Sequence, residues 1–297
     1  MILSKQYIKQ NYYWSSMSKW WEKKKYKRLL EEKEHIVGED EKILFLANPG
    51  HSHYVDLAAP KPAKDFMPSW YKQLQREWTE LRDGDHGVWK DATWNGVPYK
   101  DNSLKKCPTV KDIMFSGYII PLWLDLTINF TEESGFDWYN KHAFEDTITY
   151  HSPHSIGSMP INDGSWNTAM KFSNPWDIIT PPGWSVMIMS PWYHRNWEIE
   201  IMPSVVETDS YHQMNIPFLY HGTGKRTFRQ GMPLVQVIPY KRSGFDLDSY
   251  ESRVMDEDEK SYYDKTRAAE RTRQNGWYRW QTQQNKKKWK EDGIIDE

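Results

Sequence analysis

The stretch VVETDSYHQMNIPFLY at residues 205–220, with FRQGMPLVQVIPYKR at 228–242, decides the fold of this chain. The first run sets an acid-bearing turn between two apolar segments, and the second enters a strand pattern at Gly231. Short segments rich in Val, Ile, Trp and Tyr, bounded by Pro or Gly, are typical of β-strands. The pattern predicts an acidic hairpin beside a glycine-led strand, which is either a catalytic turn with its support or the closure of a β-sheet.

Further strand patterns fill the centre of the chain, from about 111 to 242. They lie at 118–130, 184–192, 197–207, 214–220 and 233–240. Too few helical patterns separate them for a parallel sheet covered by helices. We therefore expect a mainly β fold, either an antiparallel distorted barrel or a sandwich.

Helical patterns flank this β-rich centre. Residues 15–37 place aromatic and leucine side chains on one helical face. Residues 250–291 are helical in pattern, acidic at first and basic from 271 to 290, the order that the helix dipole favours. The sequence predicts three parts: a helical segment 1–42, a β-rich domain 43–249 and a helical segment 250–297. A further short helix is expected at 71–82.

Composition limits the classes of partner. The 297 residues include 17 Trp and 18 Tyr, aromatics make up 15%, and the formal net charge is −2. Trp and Tyr have an apolar body and a polar tip, so we expect an aromatic-heavy core, with many rings half-buried at sheet edges or oligomer contacts. A near-neutral chain has no global field to recruit nucleic acid or membrane, so any polyanion must bind locally.

Cys107 is the only cysteine, which excludes an intramolecular disulfide and a cysteine-based zinc site. We expect it to be a small buried side chain. The N-terminus lacks the apolar core of a signal peptide, and no segment approaches the roughly 18 apolar residues of a membrane span. A cytoplasmic protein without a membrane partner is predicted.

A resemblance to an uncharacterised family of tailed phages and bacteria rests on four segments. They are KKCPTVKDIMFSGYIIPLWLDL at 105–126, PWDIITPPGWSVMIMSPW at 175–192, PSVVETDSYHQMNIPFLY at 203–220 and GMPLVQVIPYKR at 231–242. The resemblance implies a viral or bacterial origin, with the host cytoplasm or the virion as location for a viral protein. It implies no mechanism.

A more distant resemblance lies in the order of Pro-Pro-Gly at 181–183, Asp209, Asn215, Gly231 and Gln236. This order is similar to the deoxyuridine triphosphatase and deoxycytidine triphosphate deaminase group, whose fold is a β-clip. The resemblance implies a β-clip-like sandwich, with Asp209 as the hairpin acid, Asn215 as the strand residue and Gln236 as the strand glutamine. It also implies nucleotide binding with Mg²⁺.

The chain departs from that group at the phosphate motif. Trp192, Tyr193, His194 and Arg195 stand where Arg-Ser-Gly is expected after Pro191, and the glycine after the hairpin acid is absent. His194 and Arg195 are candidate phosphate ligands, with neighbouring indoles stacking on a base. The same residues are also typical of a hairpin tip that covers a sheet edge. We expect no substantial triphosphatase or deaminase activity.

Asp209 is the candidate catalytic carboxylate. An aspartate oriented by backbone amides could activate a water molecule or bind a sugar hydroxyl. Aspartate in a turn also commonly bonds its own backbone. The structural role is favoured.

Two histidine pairs are candidate metal ligands. His51 and His53, with Asp56 nearby, and His151 and His154 are residue types that hold nonhaem iron or zinc. No third ligand falls at a diagnostic spacing from either pair. Polar loop histidines are therefore the favoured alternative.

Residues 271–290 interleave basic and aromatic side chains without an acid, as nucleic-acid surfaces do. The favoured alternative packs Trp277, Trp280 and Trp289 on the β-rich domain and leaves the charges in water. Nucleic acid is therefore a partner that the sequence allows but does not favour.

Three function classes follow. The favoured one is a non-catalytic phage or bacterial β-domain protein, without a cofactor, that binds a protein partner or self-associates as a homo-oligomer. The second is a nucleotide-binding enzyme that uses Mg²⁺, resting on Asp209, Gln236 and Arg195. The third is a His-ligated metal oxygenase or cupin-like protein that binds Fe or Zn.

Overall fold

The computed structural model describes most of the chain between Lys42 and Ile294. The described residues are 42–47, 49–78, 93–94, 97–98, 101–133, 135–140, 147–157, 159, 169–194, 196, 198–242, 250–273 and 277–294. The helical segment predicted for 1–42, with its helix at 15–37, lies outside them apart from Lys42.

Strands dominate the described chain. In chain order they are β1 Leu44–Ala47, β2 Lys61–Pro62, β3 Glu77–Trp78, β4 Thr93–Trp94, β5 Val97–Pro98, β6 Asp101–Asn102, β7 Tyr118–Pro121, β8 Leu126–Thr131, β9 Gly135–Asn140, β10 Ile148–Tyr150, β11 Met170–Phe172, β12 Trp176–Ile179, β13 Trp184–Met189, β14 Ile199–Ile201, β15 Ser204–Val206, β16 Ile216–Tyr220, β17 Gly224–Phe228 and β18 Pro233–Lys241. The α-helices are α1 His53–Ala58, α2 Ser69–Gln73, α3 Pro108–Phe115, α4 Glu257–Arg273 and α5 Trp277–Glu291.

The strand pairs within the described residues are antiparallel. The largest sheet has five strands in the order β15-β13-β18-β7-β2, and the next has four in the order β10-β11-β16-β14. A three-stranded sheet has the order β17-β8-β9, and β1 pairs with β12. The predicted mainly β, antiparallel class is confirmed. These strand orders do not return to their first strand, so the described residues form no closed barrel.

The core joins side chains from the five-stranded and four-stranded sheets. Val186, Ile188 and Val237 of the first sheet belong to one buried cluster with Ile201 and Phe218 of the second. The ring of Phe218 also stacks on Phe172 at a centroid distance of 4.1 Å. Alternate residues of each strand supply these side chains, because a strand points successive residues to opposite faces.

Aliphatic side chains supply most of this core, so the expectation of an aromatic-heavy core is wrong. Among the tryptophans whose burial the structure describes, only Trp123 and Trp176 are buried. An indole is large and has an N–H that needs a partner, so the others lie half-buried or exposed at sheet edges and loops.

Two of the predicted strands are each divided. The run 118–130 forms β7 and β8, and the run 197–207 forms β14 and β15, which are separated by Met202 and Pro203. Proline has no N–H for a ladder hydrogen bond, so it favours such a break. The helix predicted for 71–82 is wrong in its bounds: α2 ends at Gln73, and Glu77–Trp78 pairs with β6.

Two helices lie in the predicted C-terminal segment. At the start of α4, Glu259 N–H donates to Asp256 Oδ1 at 2.8 Å and Asp256 N–H donates to Glu259 Oε2 at 3.0 Å. This reciprocal pair is a capping box, which satisfies two backbone donors of the first turn. The described side chains of α4 are mostly exposed. None of the helices in the described ranges is long and apolar enough to cross a bilayer.

Candidate interaction surface

The five-stranded sheet has an outer face that its strand register defines. Met187 on β13 lies directly opposite Val205 on β15 and Ile238 on β18. Side chains that lie directly opposite in an antiparallel pair point to the same face. We call Val205, Met187 and Ile238 the apolar row, because they cross three neighbouring strands on that face.

Helix α3 covers only part of this face. Gln236, two residues before Ile238 on β18, lies opposite Ile119 on β7, and both side chains are buried. The Gln236 amide Nε2 donates to the carbonyls of Ile113 at 2.9 Å and Ser116 at 2.8 Å, at the end of α3. The buried amide therefore fastens the helix over the β7 side of the sheet.

Elsewhere on this face Ser185 and Met189 of β13 are buried, but Met187 between them is exposed. Val205 is 53% exposed and Met187 is 38% exposed, while Ile238 is half-buried. Single exposed apolar residues are common on protein surfaces, but a contiguous group on a flat sheet is typical of an interaction site. The apolar row is such a group.

Aromatic side chains border the apolar row at one end. The indole Nε1–H of Trp192 donates to Met189 Sδ at 2.8 Å, and its backbone N–H donates to Gln236 Oε1 at 3.0 Å. These bonds place Trp192 over the outer face next to the row, and Trp192 and Tyr193 are both exposed. We call the apolar row together with Trp192 and Tyr193 the aromatic–apolar surface.

Tyr193 has a left-handed backbone, with φ of 63°. This conformation is uncommon for a bulky residue and costs roughly 1–2 kcal/mol, so its surroundings must hold it. Trp70 does so from α2, because its indole N–H donates to the Tyr193 carbonyl at 3.0 Å. The loop therefore presents its aromatic rings in a set position.

An ion pair borders the other end of the outer face. Both guanidinium nitrogens of Arg242 donate to the Asp209 carboxylate, and Arg242 Nη1 also donates to Ser185 Oγ at 2.9 Å. The Gly183 N–H donates to Asp209 Oδ2 at 2.8 Å. The Arg242 hydrogen bonds, with the Gly183 amide, lower the pKa of Asp209 to about 2 against the opposing effect of burial.

This environment gives Asp209 a structural task. A general base works best when its pKa lies near the operating pH, and a carboxylate held near 2 is a weak base. Its oxygens already accept from Arg242, Gly183 and the Ser210 hydroxyl. These hydrogen bonds support a structural role for Asp209 as an anchor of its turn.

The candidate nucleotide residues do not converge on one another. Arg242, the partner of Asp209, lies six residues beyond Gln236, roughly 20 Å along an extended strand. Gln236 is occupied by Trp192 and α3, and Asn215 is exposed just before β16. Asp209 and Gln236 thus form hydrogen bonds at opposite ends of the outer face.

The predicted phosphate pair is described only in part. His194 is half-buried, burial lowers its pKa, and its N–H donates to the Pro191 carbonyl at 3.2 Å. Arg195 lies outside the described residues, as does Trp197. The loop that carries His194 is joined to Gln236, because the backbone N–H of Trp192 donates to Gln236 Oε1 at 3.0 Å.

The histidine pairs sit in separate local turns. His51 ends the 3-10 turn Pro49–His51 and His53 begins α1, and both rings lie against Tyr54, at centroid distances of 5.8 and 4.0 Å. His154 lies within the 3-10 turn Pro153–Ser155, and His151 lies two residues before that turn. Within the described ranges, no three His, Cys, Asp or Glu side chains come together as a metal site.

Sequence reasoning missed the residues that make this surface. Met187, Val205 and Trp70 were not candidates, because their importance depends on which half of the sheet α3 covers. The alternation in WSVMIM at 184–189 is the signal that could have identified Met187, since its neighbours Val186 and Ile188 face the core.

Comparison with known proteins found no matching protein family, no match among curated proteins and no match among solved structures. The resemblances to a phage and bacterial family and to the triphosphatase and deaminase group therefore stay expectations.

Proposed function

We propose that this chain is a non-catalytic protein that self-associates, with its aromatic–apolar surface buried against a second copy. In this proposal its two large sheets pack face to face as a β-sandwich. The phage or bacterial origin and the cytoplasmic location belong to the same proposal; the origin rests on the sequence resemblance, and the location also rests on the single cysteine. The observation that carries it is the exposed apolar row, Val205, Met187 and Ile238.

The layout of the surface supports a protein partner. Stable interfaces have an apolar centre, aromatic anchors and a polar rim. Here the apolar row is the centre and Trp192 and Tyr193 are aromatic anchors. The pair of Asp209 and Arg242 is the charged edge. Small ligands need a concave site, whereas an exposed row of side chains across three strands suits another protein surface.

A second copy suits this rim better than a strongly charged partner. The charged edge carries both signs, because it contains the Arg242 guanidinium and the carboxylates of Asp209 and Glu207. The hydrogen bond from Arg242 to Asp209 raises the pKa of Arg242, and the nearby Glu207 adds a smaller increase. A twofold contact places the same patch on both subunits, so a flat apolar row meets itself without opposing like charges. A strongly acidic or strongly basic partner would meet charges of its own sign at this rim.

Sedimentation velocity over a concentration series tests the proposal. We expect the wild-type mass to rise from one chain of 35.6 kDa toward two chains. Val205→Lys places a charge in the centre of the apolar row and should weaken association at least about tenfold, because burying an unpaired charge costs more than about 1.4 kcal/mol.

Val55→Lys is the matched control. Val55 is 48% exposed on α1, next to β2 at the opposite edge of the five-stranded sheet from β15. This variant should associate as the wild type does. A wild type that stays monomeric up to about 100 μM, about the weak limit of useful association, contradicts the proposal. Equal effects of the two lysines contradict the choice of surface.

A further inference from the structure

Helix α5 ends in turns that lie in solvent. The side chains from Gln283 to Glu291 are exposed, and the stretch from Tyr278 to Lys290 contains no acid. The end of the helix is capped, because Ile294 N–H donates to the Trp289 carbonyl at 2.8 Å and Gly293 N–H donates to the Lys290 carbonyl at 3.1 Å. This is a Schellman motif, with Gly293 in the left-handed region at φ of 68°.

One side of α5 is half-buried near its start, at Trp280, Gln281 and Thr282, whereas Tyr278 and Arg279 are exposed. Burial and Cys107 raise the pKa of Tyr71 on α2, and Arg279 partly opposes them, so the start of α5 lies near α2. The helix is thus held at its start, while its later turns are free to meet a ligand.

The exposed turns combine lysines with an aromatic ring. Lys286 and Lys290 are four residues apart, and Lys286 and Trp289 are three apart, so each pair is adjacent on the helix surface. Lys287 lies beside Lys290 in the same way and also pairs with Glu291, Nζ to Oε1 at 3.7 Å, an exposed ion pair that a bound phosphate would replace. Like charges at these spacings repel one another, and a polyanion that binds there would relieve the repulsion.

Trp289 does not pack on the β-rich domain. It is 41% exposed, and Tyr278 on the same helix is also exposed. The sequence-based expectation that Trp289 would be covered is therefore wrong, because only the first turn of α5 meets the body. The exposed Trp289 ring removes one of the reasons for not favouring nucleic acid, while the near-neutral net charge still limits any such binding to a local site.

We propose that α5 binds single-stranded nucleic acid, with Lys286, Lys287 and Lys290 on the phosphates and Trp289 stacked on an unpaired base. Phosphate contacts need clustered cations, and exposed aromatic rings stack on bases of any sequence. The chain's net charge of −2 offers no general attraction, so the binding is confined to this helix. This site is separate from the aromatic–apolar surface and does not depend on self-association.

Fluorescence anisotropy with a labelled oligo-dT strand and the full chain tests the proposal. We expect saturable binding at about 50 mM salt, with log affinity falling against log salt at a slope of about −2, as for three lysines on single-stranded phosphates. Lys286→Gln with Lys290→Gln should reduce the slope to about −0.7. Trp289→Ala should weaken binding about fivefold or more.

Matched variants on α4 separate this site from general charge. Lys260→Gln with Lys265→Gln removes two helical lysines, and Tyr262→Ala removes a ring that is 59% exposed. Both variants should bind as the wild type does. Lys286→Arg with Lys290→Arg keeps the charge and should retain binding, and circular dichroism checks that each variant keeps its helix content.

Three results would overturn the proposal. One is no anisotropy change up to about 100 μM protein, the weak end of non-specific binding. Another is equal affinity for a duplex of the same length with no effect of Trp289→Ala, which would leave only charge attraction. The third is binding to vesicles of phosphatidylserine and phosphatidylcholine without binding to oligo-dT, which would assign α5 to an anionic membrane surface.

Discussion

Asp209 and Arg242 tie the turn after β15 to the end of β18. The two residues are 33 positions apart, and Arg242 Nη1 donates to Asp209 Oδ1 at 3.1 Å. A second bond holds the turn close by: the hydroxyls of Thr180 and Thr208 share a buried hydrogen bond of 2.7 Å. The acid-bearing turn is therefore a clamp at one end of the outer face.

The clamp predicts a loss of stability in acid. The pKa of Asp209 is about 2 in the folded protein, below its ordinary value of 3.8. A carboxylate with a lowered folded-state pKa stabilises fully above its unfolded pKa, and the effect is lost as the pH falls from about 4 toward 2. We expect the free energy of unfolding to drop by about 1–2 kcal/mol over this interval from this group.

Urea denaturation of Asp209→Asn checks the prediction. The variant should lose about 1–2 kcal/mol at pH 7 and show a smaller dependence on pH below 4. Asp177→Asn, at an exposed position of β12, is the control and should change neither quantity. An Asp209→Asn variant with the wild-type pH dependence would show that the clamp is not what stabilises this turn.

Replacement by alanine should destabilise the protein to different extents at two glycines that have left-handed backbones. Gly117 has φ of 68°, and a Cβ there would lie 2.0 Å from the Val237 carbonyl oxygen. Gly183 has φ of 82°, with nothing within 4 Å of an added Cβ. Gly183→Ala should cost about 1–2 kcal/mol from its backbone alone. Gly117→Ala should cost several kcal/mol, because β7 and β18 must also move apart.

Thermal denaturation of the two glycine variants compares them directly. The melting temperature of Gly117→Ala should lie well below that of Gly183→Ala. Equal melting temperatures would mean that Gly117 is not needed for the close approach of its backbone to β18.

Replacing Gln236 should loosen the attachment of α3 to the sheet. Gln236→Met keeps the volume of the side chain but leaves the Trp192 N–H and the carbonyls of Ile113 and Ser116 without their bonds. We expect a loss of about 2–4 kcal/mol, since each unsatisfied buried group costs about 1–3 kcal/mol. Hydrogen exchange should speed up in α3, whereas Gln283→Met on exposed α5 should have no effect.

Substitutions at Tyr220 and Gly222 should have coupled effects on the free energy of unfolding. The Tyr220 hydroxyl is buried, has no hydrogen-bond partner among the described residues and would lie 2.4 Å from a Cβ at Gly222. Burial, with a contribution from Glu198, raises the pKa of this phenol to about 12. Tyr220→Phe should be neutral or stabilising by about 1 kcal/mol, because it removes an unsatisfied group.

A double-mutant cycle measures the coupling in urea denaturation. Gly222→Ala alone should cost about 1–3 kcal/mol by overpacking, and part of that cost should disappear in the Tyr220→Phe background. Additive effects would place the Tyr220 hydroxyl away from Gly222.

Local patterns predicted the strands of this fold well, and non-local contacts explain where prediction ended. The short apolar runs at 184–189 and 233–240, rich in Val and Ile, are a property of neighbouring residues, so they indicated β13 and β18 directly. The partner of Asp209 is 33 residues away, and the cover over Gln236 comes from α3, more than a hundred residues earlier. No local pattern specifies which half of a sheet a distant helix will cover.

The same reasoning explains the candidate site. Asp209 and Gln236 stood out because their residue types suit catalysis, yet their hydrogen-bond partners assign them to holding a turn and a helix. Met187 and Val205 have no chemistry of their own and matter only because they are left uncovered together. An exposed row of this kind becomes visible only when the register of three strands is known.

Hydrogen exchange of the wild-type chain at low and high concentration tests self-association through this surface most directly. The account predicts that backbone amides of β13 and β15 gain protection as concentration rises, while those of α1 do not change. Unchanged exchange in β13 and β15 at a concentration where sedimentation shows two chains together would contradict it, because the contact would then lie elsewhere.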